Sequence, residues 1–337
     1  MTIINGYRRR QRAYWILTAF LALLLAVLAA VSMIYGNTIY NPQTIFRVLS
    51  GESIQGATFT ILTLRLPRTL AGVLCGLAFG MAGNTFQKLL GNPLASPDII
   101  GVTAGSSAAA VFAILFLHLS GAWVSALAVT SGLLVSALIY LLARSGGYSN
   151  GKLILTGIGA QAFLNALISW MLLKASEYDV GNALRWLSGS LNGVSLSDIP
   201  RLAAIVFLSG FALFLLHRHL AVLQLGTSHA VTLGLPVFAS RIGLILFSLL
   251  LIAFSTAVSG PIASVAFLSG PIAARLSRSG QTNLLCSGLV GAILVVASDL
   301  VAQYALPARY PVGVVTGILG APYLIWLLLS INRKGEQ

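Results

Sequence analysis

The chain has 337 residues, 57% apolar and 8% charged, with a formal net charge of +13 and a mean hydropathy of +0.92. A soluble domain carries roughly a quarter charged residues; 20 basic and 7 acidic side chains cannot clothe a globule of this size, which excludes a soluble enzyme and equally a disordered chain. Continuous apolar runs argue against the alternating strands of a membrane β-barrel, and basic residues standing singly between those runs read as membrane topology, not nucleic-acid binding.

A helix crosses the hydrocarbon core in about 20 residues, and ten apolar windows are predicted, at 13–35, 66–88, 98–117, 121–143, 152–174, 199–216, 239–258, 262–277, 283–304 and 311–331. The expected fold is an all-α polytopic membrane protein forming one transmembrane domain over 1–337. The first window follows Arg8, Arg9, Arg10 and Arg12 and is too long for the apolar core of a signal peptide, so it reads as a membrane helix with a cytoplasmic start. The eighth is short and interrupted by Gly270-Pro271. Ten spans put both termini on one side, with 1–12 and 332–337 cytoplasmic. The cytoplasmic basic set is then Arg8, Arg9, Arg10, Arg12, Lys88, Arg144, Lys152, Arg218, Arg241, Arg275, Arg278, Arg333 and Lys334, against Arg47, Arg65, Arg68, Lys174, Arg185, Arg201 and Arg309 outside, a bias of the right sign. Five spans per half, an odd number, make the halves opposite in orientation. Residues 36–64 and 175–198 are outer segments, the second with a short helix around Asn182–Leu187. Residues 217–238 are the largest internal loop.

Gly72, Gly76 and Gly80 recur every four residues on the second helix, and Gly83 follows. Such a stripe lets helix backbones approach closely; smooth pathway walls are the other reading, and Gly157 and Gly159 on the fifth helix invite the same choice. Cys75 and Cys286 read as buried small hydrophobes. Gln161 and Asn165 are i,i+4 on the fifth helix, and either line a pathway at a subunit interface or bond between helices. Asp299 is an acid inside an apolar run, functional or structurally paired. His217, His219 and His229 lie in a polar loop without an acidic neighbour, a poor metal set. No Walker-type phosphate loop is present.

At Arg65-Leu66-Pro67-Arg68 and Gly91-Asn92-Pro93-Leu94-Ala95-Ser96-Pro97-Asp98-Ile99-Ile100-Gly101 the sequence resembles the FecCD-type permeases of bacterial ABC importers for iron–siderophores, haem and cobalamin. Trp186-Leu187-Ser188-Gly189-Ser190-Leu191, Gly260-Pro261-Ile262, Pro311-Val312-Gly313-Val314-Val315-Thr316-Gly317 and Gly320-Ala321-Pro322 extend the similarity over about 60–331. The resemblance implies a type II importer fold: ten helices in inverted five-helix halves, a second permease subunit (on the iron branch, a similar but distinct chain), two ATPase subunits beneath and an extracytoplasmic substrate-binding protein above. ATP and Mg would belong to the ATPase subunits, and this chain would carry no cofactor.

The resemblance also implies roles. Arg65 and Arg68, at the outer mouth of the second helix, share a face by their i,i+3 spacing; the resemblance makes them docking partners for the binding protein, or else they are interface anchors. A further family arginine is Gln303 here, with Arg309 close enough to substitute. Asn92, Pro93 and Leu94 form one cytoplasmic gate loop, unless they are an ordinary turn, and Ser149 and Asn150 form the other. The family's ATPase-coupling helices fall at Leu220 to Gly226 and Ser228 to Gly234, including Leu225 and Leu233, with glycine ends and Ser228 as N-cap. The family's Pro-His-Ile-Ala-Arg reads Pro271-Ile272-Ala273-Ala274-Arg275, so a role for that histidine lapses. The expected function is ferric-siderophore import by alternating access at the plasma membrane, with haem or cobalamin as alternative cargo. An ion-coupled secondary transporter is the alternative of another class; an intramembrane enzyme lacks a nucleophile–base pair.

Overall fold

The computed structural model describes residues 2–144, 149–262, 264–277 and 282–335. Arg278 and the side chains of Arg333 and Lys334, assigned above to the cytoplasmic set, lie outside the described residues, as does the end of the tail at 336–337. All regular structure described is helical. Seven helices are long and apolar enough to span a bilayer, and three shorter apolar ones, Val102–Leu115, Val265–Ser277 and Val312–Leu327, fill the remaining windows.

In chain order the α-helices are α1 (Thr2–Ile34), α2 (Pro42–Leu49), α3 (Leu66–Leu90), α4 (Val102–Leu115), α5 (Ala122–Arg144), α6 (Asn150–Lys174) and α7 (Glu177–Leu187). There follow α8 (Ile199–Leu215), α9 (His217–Leu223), α10 (Thr227–Thr232), α11 (Val237–Ser259), α12 (Val265–Ser277), α13 (Leu284–Tyr304) and α14 (Val312–Gly335). Three departures from the predicted windows have local causes. First, α1 begins well before Ala13, because Arg, Gln and Ala favour helix and carry it past the apolar run. Second, a π-helical stretch, Phe59–Arg65, runs directly into α3, so the outer segment is shorter than 36–64. Pro67 has no N–H for the i−4 carbonyl, and the preceding Leu66 N–H reaches back to Ile61 instead. Third, the window at 98–117 is cut at Gly101 (φ 71°), which separates a 3-10 turn, Pro97–Ile100, from α4.

The contacts repeat between halves. α3 packs on α13 and α12, and its counterpart α11 packs on α5 and α4. The pairs α4–α5 and α5–α6 are matched by α12–α13 and α13–α14. Exchanging the first five spans for the last five maps one set onto the other, as inverted five-helix halves require. α1 breaks the pattern: it packs on α13, whereas α8 packs on α11 and α3.

The glycine stripe is packing. A Cβ on Gly76 would overlap the backbone of Gly291 and Ala292, one on Gly80 the Ser287 carbonyl, and one on Gly83 the Ala266 carbonyl. These are helix-to-helix backbone contacts, which overturns the pathway-wall reading for α3. Gly157 of α6 is likewise pressed on the Ile99 carbonyl, but Gly159 faces open space. Cys75 and Cys286 are buried and free.

Gly80→Val should force α3 off α13 at a cost of about 1–3 kcal/mol or more, read as a lower melting temperature of the purified chain. Gly317→Ala, with nothing near its added methyl, should melt like the parent.

Candidate functional site

At the end of the bundle where α3 begins, the expected outer end, a cavity of about 770 Å³ is lined by Arg65, Arg68, Arg309, Asn192, Gln303 and Tyr304, among others. Arg68 and Asp299 form a bidentate ion pair: Nε donates to Oδ2 at 2.8 Å and Nη2 to Oδ1 at 2.6 Å. The pair is nearly closed to solvent, with side chains 14% and 5% exposed. Gln303 Nε2 donates to the same Oδ2 at 2.8 Å, and Arg68 Nη1 to Asn192 Oδ1. The structural alternative for Asp299 therefore holds, and Gln303, standing where the family has arginine, supports that carboxylate.

Arg65 is buried. Its Nη1 donates to the Met33 and Ile34 carbonyls at 2.7 and 2.9 Å, and Nη2 to Thr38 O at 2.5 Å. Its guanidinium lies 5.0 Å from the Tyr40 ring centre. It caps the C-terminal end of α1, where carbonyls lack intrahelical donors and the dipole favours a cation. The shared, outward arginine face expected from the i,i+3 spacing is thus corrected: Arg65 turns to α1 and Arg68 to α13. Arg309 is the exposed one of the three, bonded to Asn37 Oδ1 at 2.7 Å.

Deeper, Gln161 and Asn165 share a cavity of about 160 Å³ with Ser96, Asp98, Thr103 and Ser264. Asp98 accepts from Ser96 Oγ at 3.0 Å and from Thr103 Oγ1. Sequence reading gave this acid no role of its own, because it stands at the very start of the window at 98–117 and inside the Gly91–Gly101 stretch. It also overlooked two amides on α3: Asn84 Nδ2 donates to Thr282 O at 2.6 Å and Gln87 Nε2 to Phe267 O at 2.8 Å. Their signal was available, two polar residues at i,i+3 within an apolar helix.

At the opposite end, the expected inner end, a cavity of about 460 Å³ is lined by Asn92, Pro93 and Asn150 together with Gly226, Arg241 and Gly270-Pro271. Asn92 Oδ1 accepts from Leu94 N at 2.8 Å, an Asx-type turn, after Gly91 (φ 65°) ends α3. Leu94 is half-buried and does not line the cavity, and neither does Ser149, which is exposed at the start of α6. The structure thus brings Asn92, Pro93, Asn150 and Gly226 together and leaves Leu94 and Ser149 apart.

Residues 217–235 form the two expected short helices, α9 and α10. Gly226 (φ 100°) and Gly234 (φ 75°) supply the left-handed turns. Gly226 is itself the N-cap of α10, with Thr227 its first residue, so Ser228 lies inside the helix and is not the cap. Leu220 packs in the main core, whereas Leu225, Val231 and Leu233 are exposed. Of the coupling candidates, then, Leu220 anchors the segment and Leu225 and Leu233 present an apolar face. His219 Nδ1 is bonded to Ser240 Oγ at 2.8 Å, and among the described residues no cluster of three metal-ligating side chains occurs.

An all-helical bundle with inverted halves, polar cavities at both ends and between them, and an exposed apolar corner on the loop of α9 and α10 defines a membrane transport protein. The chain belongs to the FecCD transport family, which matches residues 23–330. It is 37% identical over 300 residues to the ferric enterobactin transport system permease protein of Escherichia coli (strain K12), covering 89% of this chain and 91% of that one. It is 36% identical to the achromobactin transport system permease protein of Dickeya dadantii (strain 3937), covering 92% and 90%. The vitamin B12 import system permease protein of Vibrio cholerae serotype O1 is 36% identical over 79% of this chain and 81% of its own. A solved metal-chelate type ABC transporter in an inward-facing conformation superposes with a TM-score of 0.83 at 27% identity, covering 93% and 98%.

Asp299→Asn should lower stability by about 3 kcal/mol, since it removes the counter-charge of a nearly enclosed Arg68. Replacing both partners by well-packed apolar residues should recover much of that loss; thermal unfolding in detergent measures both.

Proposed function

We propose that this chain is the membrane-spanning subunit of an ABC importer that moves ferric siderophore inward across the bacterial plasma membrane by alternating access. The observation that carries the reading is the inner cavity, where two inter-helix loops (Asn92-Pro93 and Asn150) and Gly226 of the loop helices line one space. α9 packs directly on α3, α8 and α11. A displacement of α9 and α10 would therefore reach the gate loops with no element in between. The exposed Leu225, Val231 and Leu233 suit the apolar groove of an ATPase subunit. ATP and Mg act there, and this chain forms no covalent intermediate.

The basic bias supports a cytoplasmic side for both termini. On this reading the outer cavity faces an extracytoplasmic binding protein, with exposed Arg309 its most accessible cation. α6 is the least buried of the long apolar helices, and Asn165 on it is exposed. A polar side chain at membrane depth needs protein or water beside it, which supports a second permease subunit there, with Gln161 and Asn165 facing the shared pathway. That partner is taken to be a similar, distinct chain. The cargo class follows relatives that serve ferric enterobactin and achromobactin; the vitamin B12 relative keeps cobalamin as the second cargo. The ion-coupled alternative loses its cue, since Asp299 is paired with Arg68.

Vesicles holding the reconstituted complex should take up ferric siderophore only with the ATPase subunits and ATP present; uptake without them would overturn the reading. Gly226→Val, strained at φ 100°, should cut uptake at least tenfold while the chain still assembles.

A further inference from the structure

The end of the bundle that carries Arg8, Arg9, Arg10 and Arg12 holds a separate cavity of about 470 Å³. It opens between α1, the corner joining α8 to α9, and the start of α13. Its walls divide by chemistry: Trp15, Phe214 and Leu285 are apolar, while Gln11, His217 and Arg218 are polar. Arg218 and all four α1 arginines are exposed, and no acidic side chain lines the space. α13 starts at this cavity without a side-chain cap, so the positive end of its dipole adds to the field of the arginines.

The division follows depth. The apolar run of α1 begins at Ala13, so Gln11 and the arginines stand at headgroup level and Trp15 just inside it, where amphipathic aromatics collect. Trp15 and Phe214 are exposed, which leaves the apolar wall open sideways to acyl chains. A soluble anion could use only the polar half. A basic pocket between helices at the interface fits a lipid headgroup. We propose that this cavity seats an anionic phospholipid, its phosphate held between Arg218 and the arginines of α1 and its glycerol end lying against Trp15 and Phe214. The bound lipid would wedge the α8–α9 corner against α1 and α13 and so brace the first helix of the loop that the proposed reading couples to the ATPase. Only that consequence rests on that reading; the binding itself does not.

The test uses the full chain in detergent micelles, which have no sidedness, with Trp15 as sole tryptophan (Trp123, Trp170, Trp186 and Trp326 each replaced by Phe). Phosphatidylglycerol with brominated acyl chains should quench Trp15 at a mole fraction at least about fivefold lower than brominated phosphatidylcholine, and Arg218→Gln should narrow that preference by about fivefold, the effect of one cation near an anionic headgroup. Equal quenching by the two lipids overturns the proposal. So does an Arg218→Gln chain that keeps the full preference, which would make the α1 arginines a diffuse attractor only. Displacement of the lipid by millimolar inorganic phosphate would reassign the site to a soluble anion. If the four replacements prevent folding, native mass spectrometry of the parent chain and Arg218→Gln decides instead, by phosphatidylglycerol retained against phosphatidylcholine. Failure of ATP-driven uptake with this lipid preference intact would count against the transport reading and not against the site.

Discussion

Inside a bilayer, burial of apolar surface does not draw helices together, because lipid tails are as apolar as leucine; close fit and interhelical hydrogen bonds do the work. α3 meets this constraint by dispensing with side chains where its neighbours cross it. At Gly76, Gly80 and Gly83 the backbones of α13 and α12 occupy the space a Cβ would need. The rest of the bundle is arranged around that contact. α11, the counterpart of α3 in the other half, packs against it, and the remaining spans follow outward in matching pairs.

The same helix supplies polar ties along its length. Arg65, just before its start, closes the end of α1, and Arg68 holds Asp299 of α13. Asn84 and Gln87 reach carbonyls at the start of α13 and on α12. Each tie satisfies a backbone or charged group that the membrane would leave without water. α3 is thereby fastened to α1, α12 and α13 as one block. Cavities lie at both its ends: one surrounds its beginning, and the other starts at Gly91, where a left-handed turn releases the chain into the Asn92 loop.

The inner face differs in character from that block. Its loop helices are short, end on glycines in left-handed conformations and expose Leu225, Val231 and Leu233 outside the apolar spans. Exposed apolar side chains on a polar loop mark an interaction surface, while Leu220 roots the segment in the main core. An exposed apolar surface and a helix anchored in the core therefore lie within one short stretch of chain, beside the loop that carries Asn92 and Pro93.

Much of this was legible from residues alone. Window lengths and continuous apolarity determine a polytopic helical membrane protein, since only helices and closed barrels satisfy the backbone in lipid and barrel strands alternate apolar with polar residues. The motifs at Arg65–Arg68 and Gly91–Gly101 determine the family, and the positions of Gly226 and Gly234 mark the breaks in the inner loop. Partnership was not legible. The i,i+3 spacing of Arg65 and Arg68 suggested one outward face, but a long guanidinium side chain follows whichever acceptors its neighbours offer, and those were an uncapped helix end and a carboxylate 231 residues away. The same holds for Asn84 and Gln87, whose acceptors stand just before α13 and on α12, 198 and 180 residues further along the chain. Spacing along a chain states which groups can meet within one helix. Only the crossing of helices decides which groups meet between them, because that depends on how closely two backbones approach.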